Sequence, residues 1–358
     1  MKKLFFFSLF FLYLFIPINV YADNLSSLIV KDINSGRILY EHHSNEKRLI
    51  ASITKVMTTL IALEHGNLDD EVVAGEEILA MYGSNIYLEL NERMRLEDLL
   101  YGLMLRSGYD AAVVIAHHIS GSEEEFVKLM NKKAQELGMK NTVFANAHGL
   151  DEETRNYSTA HDMAILTTHV HIMYADFRKI SSTLKHYVNT ESKSYLWHNR
   201  NRLLNMYEYA TGGKTGYTPS AGRTLITTAK KADLELVIVS LNDDDMFRNH
   251  KELYERMFEQ YQNYTIVRKE NLVLDPNIFR GTIVIKDSFI YPLTEEEVSQ
   301  VSTVLRIDQT RRMKNKEKIG YIKVTLNDQL LERIPIYGEQ KKETRGFFHW
   351  LRSLFNLN

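Results

Sequence analysis

A serine and a lysine, Ser52 and Lys55, stand three residues apart at the start of a strongly apolar helical pattern. Apolar residues recur at the spacing of a helix face, at Ile53, Val56, Met57, Leu60 and Ile61, and Ala62 and Leu63 widen it. The pattern predicts a helix buried on nearly all sides. An unpaired buried lysine is costly unless it loses its proton or finds a partner. Because a neutral lysine beside a serine hydroxyl is a base beside a nucleophile, this stretch is a candidate catalytic site.

The same serine-to-lysine spacing occurs at three places, so the spacing alone is a weak signal. The pairs at 44–47 and 182–185 lie in polar surroundings, where a lysine keeps its proton and the serine is inert. Only Ser52 and Lys55 lie in an apolar helix, whose positive N-terminal end favours a neutral lysine and a negative serine oxygen. The helix context therefore selects this pair.

The tripeptide Lys214-Thr215-Gly216 adds a second lysine. Segments with strand character flank it, so we expect Lys214 and Thr215 at a strand edge, where Gly216 lets a substrate backbone approach. A nearby cation lowers the pKa of a lysine, and Lys214 is the candidate for that effect on Lys55. Ser107 breaks two helical patterns and is a candidate for passing a proton from Lys55 to a leaving group. The alternative is that Ser107 only ends a helix.

The two ends of the chain predict export and attachment to a membrane, respectively. Residues 1–22 combine two lysines, an apolar run and a small residue at position 22, which is the layout of a secretory signal peptide with Asp23 as the mature N-terminus. An uncleaved anchor is the alternative, although the apolar run is short for a membrane span. On a helix, residues 346–358 place Trp350 and three phenylalanines on one half, which is typical of a helix lying in a membrane interface. Packing of this tail against the protein or a partner subunit is the alternative.

The composition is that of an ordinary globular protein. Its 358 residues allow two domains, and 44% are hydrophobic and 25% charged. There is no cysteine, so stability must come from a core rather than from disulfides. A net charge of −2 gives no indication of nucleic-acid binding. The patterns predict an α+β protein with a main domain at 23–265, a small all-β domain at 266–337, a linker at 338–345 and the tail helix.

Within the main domain, strands are predicted at 27–31, 37–41, 86–88, 225–229 and 236–240. A helical pattern from 96 to 105 precedes Ser107. Asp110 is placed to cap the helix that begins at Ala111.

Five segments together resemble the low-molecular-mass penicillin-binding proteins that are D-alanyl-D-alanine carboxypeptidases. They follow that family's order, lie within about residues 25–260, and comprise 51–58, 103–108, 146–150, 157–160 and 214–218. The resemblance implies a β-lactamase/transpeptidase-like domain, with an antiparallel sheet flanked by helices, before the small all-β domain. It implies a cofactor-free hydrolase, anchored at the outer face of the cytoplasmic membrane, that removes the terminal D-alanine from peptidoglycan stem pentapeptides. β-Lactams would inhibit it.

The resemblance also implies a role for each motif residue. Ser52 would be the nucleophile that forms an acyl-enzyme, Lys55 its base, and Ser107 the proton relay. Backbone N–H groups of the nucleophile and of residue 217 would form an oxyanion hole. The second lysine and the threonine after it would bind the substrate carboxylate. The substrate-binding residues implied in this way are Lys214, Thr215, Gly216 and Tyr217.

One position departs from the family's pattern. The family usually carries Ser-x-Asn in its second motif, and here the third place is Tyr109. Asparagine offers a compact donor and acceptor, whereas tyrosine offers one longer-reaching hydroxyl and more bulk. We expect Tyr109 to contact substrate and to alter acylation rate and β-lactam sensitivity. The alternatives are a β-lactamase, which would want a dedicated carboxylate for deacylation, and a non-catalytic peptidoglycan or penicillin binder in which Tyr109 blocks turnover.

Other polar residues favour structural interpretations. Histidines at 117–118 and at 169 and 171 are candidate metal ligands, but no further ligand lies at suitable spacing, so no metal site is predicted. His148 precedes a glycine and is expected to support a turn. Arg248 is a candidate for contacting a substrate carboxylate, although a solvated helix position is favoured.

Overall fold

The computed structural model describes residues 26–79, 83–275, 279, 281–308 and 317–339. The predicted signal peptide, the tail helix and most of the linker lie outside these residues. The strands are β1 (Ser27–Asp32), β2 (Ile38–His42), β3 (Arg48–Leu49), β4 (Glu71–Val73), β5 (Arg93–Arg95), β6 (Tyr157–Ser158), β7 (Lys185–Asn189), β8 (Ser194–His198), β9 (Ala210–Thr218), β10 (Gly222–Lys231), β11 (Leu234–Leu241), β12 (Gln262–Val267), β13 (Asn271–Val273), β14 (Thr282–Ile285), β15 (Phe289–Leu293), β16 (Val301–Ile307), β17 (Glu317–Leu326) and β18 (Gln329–Glu339). The α-helices are α1 (Lys55–His65), α2 (Leu96–Tyr101), α3 (Tyr109–Ser120), α4 (Glu123–Glu136), α5 (Ala160–Met173), α6 (Ala175–Ser182), α7 (Leu203–Met206), α8 (Met246–Gln260) and α9 (Glu295–Val298).

A five-stranded antiparallel sheet lies at the centre of the main domain, in the order β2-β1-β11-β10-β9. Its inner strands are buried on both faces because the sheet lies between two hydrophobic clusters. On β11, Val237 and Val239 belong to one cluster, whereas Leu236 and Ile238 belong to the other. That alternation is the period of two that a strand imposes. The helix-flanked antiparallel sheet confirms the predicted α+β fold.

Helices cover both faces of this sheet. Helices α1, α3 and α5 contribute to the larger cluster, and α8 covers the opposite face. The ring of His250 on α8 bridges the hydroxyls of Thr227 and Ser240, at 2.7 and 2.9 Å. Complete burial lowers the pKa of His250 to about 3. This neutral, fully paired histidine joins α8 to strands β10 and β11.

The predicted apolar helix forms α1, in which the eight residues 55–62 are buried. It is preceded by a single 3₁₀ turn, Ala51–Thr54. Ser52 therefore lies on the tighter 3₁₀ turn, and Lys55 is the first residue of the α-helix. The side chain of Lys55 is buried at that position.

Residues 86–88 do not form the predicted strand. The N–H groups of Ile86 and Leu88 donate to the two carboxylate oxygens of Asp110, each at 3.0 Å, instead of to a neighbouring strand. Tyr87 between them has a φ of +66°, which strand geometry does not permit. The prediction that Asp110 caps a helix is also wrong, because α3 begins at Tyr109, two residues before Ala111, and Gly108 is its N-cap. Asp110 instead secures a neighbouring loop.

A smaller β-rich region follows β12. Strands β13-β14-β18-β17-β16 form one sheet and β12 pairs with β15. A side chain from the β1–β2 turn reaches this region, where Arg37 contacts the Glu297 carboxylate at 2.5 Å and the Pro292 carbonyl at 2.5 Å. The Arg37 guanidinium also lies 5.2 Å from the ring centres of Tyr261 and Tyr291. This cluster ties the two parts of the molecule together.

Candidate active site

Ser52 and Lys55 meet at the junction of the 3₁₀ turn and α1. The Lys55 Nζ lies 3.1 Å from the Ser52 Oγ. It also donates to the His148 carbonyl at 2.5 Å. Ala51, just before the nucleophile, has a φ of +49°, a conformation that a non-glycine residue adopts only when its surroundings impose it. The structure therefore brings the predicted nucleophile and base into direct contact, on a strained turn.

The burial of Lys55 decides its protonation. Its side chain is 1% exposed, and burial is the main cause that lowers its pKa from 10.5 to about 7. The Arg200 cation lowers it further, while the Asp110 carboxylate acts in the opposite direction. Lys55 can therefore lose its proton near neutral pH.

Lys214 lies on β9 and is equally buried. Its Nζ donates to the Ser107 Oγ at 3.1 Å and to the Thr215 carbonyl at 2.6 Å. Burial, together with the charges of Lys55 and Arg200, holds the pKa of Lys214 well below 10.5. We expected Lys214 to be the cation that acts on Lys55. Arg200 is a second cation that lowers the pKa of Lys55, and the two buried lysines disfavour each other's charged form.

Ser107 occupies the break between two helices. Helix α2 continues as one π-helical turn, Gly102–Arg106, and Ser107 ends it with a left-handed φ of +65°. The side chain is buried and faces Lys214. Ser107 thus ends a helix and accepts a hydrogen bond from the lysine of β9, and its role as a proton relay stays a prediction.

Strand β9 is an edge strand of the central sheet. It lies against the 3₁₀ turn Ala51–Thr54, which carries the predicted nucleophile and is called the nucleophile turn below. A Cβ atom on Gly216 would stand 2.9 Å from the Ser52 nitrogen and 2.4 Å from the Thr224 Oγ1. Thr224 in turn donates to the Ile50 carbonyl at 3.1 Å. No room exists for a side chain at position 216, so this glycine allows the strand and the turn to touch.

A cleft of about 250 Å³ opens over these groups. Arg200 and Arg223 contribute cations to it, and none of its lining residues in the described part of the chain is acidic. Such a cleft attracts a carboxylate. The lining residues are Ser52, Ser84, Ser107, Arg200, Thr215, Gly216, Tyr217, Arg223, Met246 and Phe247.

Comparison with known proteins identifies the family. Residues 20–245 match the model of the peptidase S11 family, D-alanyl-D-alanine carboxypeptidase. The chain belongs to the D-alanyl-D-alanine carboxypeptidase family. It is 33% identical to D-alanyl-D-alanine carboxypeptidase DacF of Bacillus subtilis, over 92% of this chain and 89% of that protein. These matches identify it as a serine-type hydrolase.

This chain is also similar to other carboxypeptidases and to a penicillin-binding protein of known structure. D-alanyl-D-alanine carboxypeptidase DacC of Escherichia coli is 28% identical, over 94% of this chain and 91% of that protein. The crystal structure of penicillin binding protein 5 from Haemophilus influenzae superposes with a TM-score of 0.74 at 26% identity, covering 88% of this chain and 96% of that one. The similarity extends beyond the main domain.

Tyr109, the departure from the family's second motif, is not among the residues that line this cleft. Its side chain is 7% exposed. Its ring packs on that of His148, with 4.5 Å between the ring centres and 57° between the planes. We expected Tyr109 to contact substrate. In the structure its ring is largely buried against the loop that holds Lys55, and contact with substrate stays a prediction.

Sequence patterns did not indicate several groups around the site. Arg200 follows β8 and donates to the Ser84 Oγ at 2.7 Å, and Arg223 lies on β10 opposite Tyr217. No motif or periodicity marks these residues, because strand pairing and loop packing bring them to the cleft. Arg248 is 67% exposed and pairs with two acidic neighbours, as the solvated interpretation predicts.

Two of the four candidate metal ligands each lie close to a single carboxylate. His118 lies 3.1 Å from the Asp70 carboxylate, and His171 lies 2.8 Å from that of Glu235. Across the described ranges, no group of three or more histidine or acidic residues could hold a metal ion.

Replacing Gly216 by alanine tests the contact between β9 and the nucleophile turn. The added methyl would displace the strand from Ser52, so the rate of acylation by a fluorescent penicillin should fall by about 100-fold or more. Gly138→Ala is the control, because its Cβ would meet open space even though its φ of +75° makes the substitution strained. Thermal melting should show a loss of stability in the control without the loss of rate. Equal rates for Gly216→Ala and wild type would contradict the contact.

Proposed function

We propose that the protein is a serine D-Ala-D-Ala carboxypeptidase that trims peptidoglycan stem pentapeptides through an acyl-enzyme on Ser52, and that penicillin acylates the same serine. The observation that supports this most is a lysine with a pKa of about 7 whose Nζ lies 3.1 Å from the hydroxyl of Ser52, in a cleft with no acidic side chain among its described lining residues. Neutral Lys55 is the base that such a serine needs.

Acylation begins with proton transfer from the Ser52 Oγ to the Lys55 Nζ. The Oγ bonds to the carbonyl carbon of the penultimate D-alanine, the C–N bond to the last D-alanine breaks, and the departing amine takes a proton. Ser107, which accepts a hydrogen bond from the Lys214 Nζ at 3.1 Å, relays the proton from Lys55 to that amine, so Lys55 is neutral again. Water then hydrolyses the ester, which releases the shortened peptide and returns the proton to Ser52.

Substrate binding follows from the edge strand and the cations of the cleft. A peptide can lie beside β9 as an added strand, since edge strands offer unpaired backbone groups. Its terminal carboxylate would meet Thr215 and the positive side chains of Arg200 and Arg223. The N–H groups of Ser52 and Tyr217 form the oxyanion hole in this proposal, a contribution of about 3 kcal/mol per donor in such enzymes.

Two alternative functions are a β-lactamase and a non-catalytic binder. A β-lactamase needs a group that speeds deacylation, and among the described residues no carboxylate lines the cleft to serve that purpose. A non-catalytic binder requires Tyr109 to block the site, whereas its ring packs on His148. Both observations favour the carboxypeptidase.

One pair of assays separates these functions. Purified residues 23–345 receive a D-Ala-D-Ala peptide and, separately, a labelled penicillin. We expect release of D-alanine and a long-lived penicillin adduct, both lost in Ser52→Ala because the nucleophile is gone. Ser44→Ala is the matched control, since that serine belongs to another pair with the same spacing. Rapid penicillin hydrolysis without peptide cleavage would indicate a β-lactamase. Neither activity, or full activity in Ser52→Ala, would refute the proposal.

We further propose that the protein is exported and held at the outer face of the cytoplasmic membrane by residues 346–358. In the described residues no helix combines the length and the apolar character needed to cross a bilayer. The aromatic half of the tail pattern supports a helix that lies in the interface instead.

Cell fractionation tests this attachment. The full-length protein should sediment with membranes, and a chain ending at residue 345 should be soluble because it lacks the aromatic tail. Recovery of both forms in the soluble fraction would contradict the anchor.

A further inference from the structure

The loop of residues 146–150 connects Tyr109 to the catalytic lysine. On one side of this loop, the His148 ring packs on the ring of Tyr109. On the other side, the His148 carbonyl accepts the hydrogen bond from the Lys55 Nζ. His148 therefore lies between Tyr109, which departs from the family pattern, and Lys55, the proposed base.

The loop cannot move independently of the nucleophile turn. A Cβ on Gly149, whose φ is +85°, would stand only 2.0 Å from the Ala51 carbonyl oxygen. The Ala147 carbonyl accepts a hydrogen bond from the Thr58 hydroxyl on α1 at 2.5 Å. The Asn146 Oδ1 accepts from the backbone N–H of residue 149 at 2.6 Å. A displacement of His148 would therefore also displace the carbonyl that accepts the hydrogen bond from Lys55.

Lys55 and His148 are both shielded from water. Burial is the main cause that lowers the pKa of Lys55 to about 7 and the pKa of His148 to about 3. Tyr109 is a large, nearly fully buried ring on that side of the loop. Without it, water would reach the His148 ring and the carbonyl behind it.

We propose that Tyr109 is a positioning residue whose ring seals the His148 loop and so keeps Lys55 dehydrated and neutral. The inference rests on the proposed serine mechanism, in which Lys55 must be neutral to act. It gives Tyr109 a role through His148 rather than through contact with the substrate.

The charges around Lys55 do not depend on this ring. Asp110 raises its pKa and Arg200 lowers it, while the Lys214 amine lies on β9 beside Ser107. Behind the loop, the Glu123 Oε1 lies 3.5 Å from the His148 Nε2 and accepts the N–H of Ala147 at 2.9 Å. Removing the Tyr109 ring would change the hydration of the His148 loop, whereas all four charged groups would remain.

The pH dependence of acylation reports this role directly. The rate with a labelled penicillin would be measured from pH 5.5 to 10 for wild type, Tyr109→Phe and Tyr109→Ala. Because only neutral Lys55 acts, the rate rises through the pKa of Lys55. The wild-type midpoint should lie near 7, and Tyr109→Phe, which keeps the ring, should match it. Tyr109→Ala should shift the midpoint up by about one unit, which lowers the rate at pH 7 about fivefold but spares the alkaline plateau.

A stability control separates this effect from general damage. Phe258→Ala removes a ring from the cluster on the opposite face of the sheet, so it should lower the melting temperature without moving the midpoint. Tyr109→Val replaces the alanine variant if that variant does not fold. A wild-type protein inert to both penicillin and peptide would refute the proposed function. An active wild type whose midpoint is unchanged in Tyr109→Ala, or moves equally in Tyr109→Phe, would refute the sealing role alone.

Discussion

The burial of one lysine is the condition on which the rest of the site depends. A lysine in water has a pKa near 10.5 and cannot act as a base at neutral pH. Placing Lys55 at the start of an apolar helix, under the His148 loop and against β9, lowers that pKa to about 7. The apolar helix, the central sheet and the loop are thus the means by which an ordinary amine becomes a base.

Two charges act on the lysine in opposite directions. Asp110 is fully buried, and its carboxylate accepts three backbone N–H bonds, from Ile86, Leu88 and Ala111. It stabilises the ammonium form of Lys55, whereas Arg200 opposes it. A carboxylate alone would keep the lysine charged, and an arginine alone would leave the pocket strongly positive. With both present, burial decides the outcome.

The fold and the chemistry differ in how far local sequence determines them. The periodicity of residues 53–63 correctly predicts α1, and the alternation on β10 and β11 predicts strands, because local patterns reflect burial. The strand predicted at 86–88 is wrong because a distant carboxylate, Asp110, takes the N–H groups that a neighbouring strand would have bonded. Arg200 and the orientation of Tyr109 were not predictable, since both depend on how loops pack in three dimensions. Motif residues are visible in sequence, whereas the residues that tune their pKa are not.

Direct titration of Lys55 tests this account most closely. NMR spectra of protein labelled with ¹³C at the lysine Cε, with the Lys55 signal assigned by its loss in Lys55→Arg, would follow its protonation between pH 5 and 11. We predict a midpoint near 7 for Lys55, well below the range of an ordinary exposed lysine. A midpoint above 10 for Lys55 would contradict the claim that burial makes it the base.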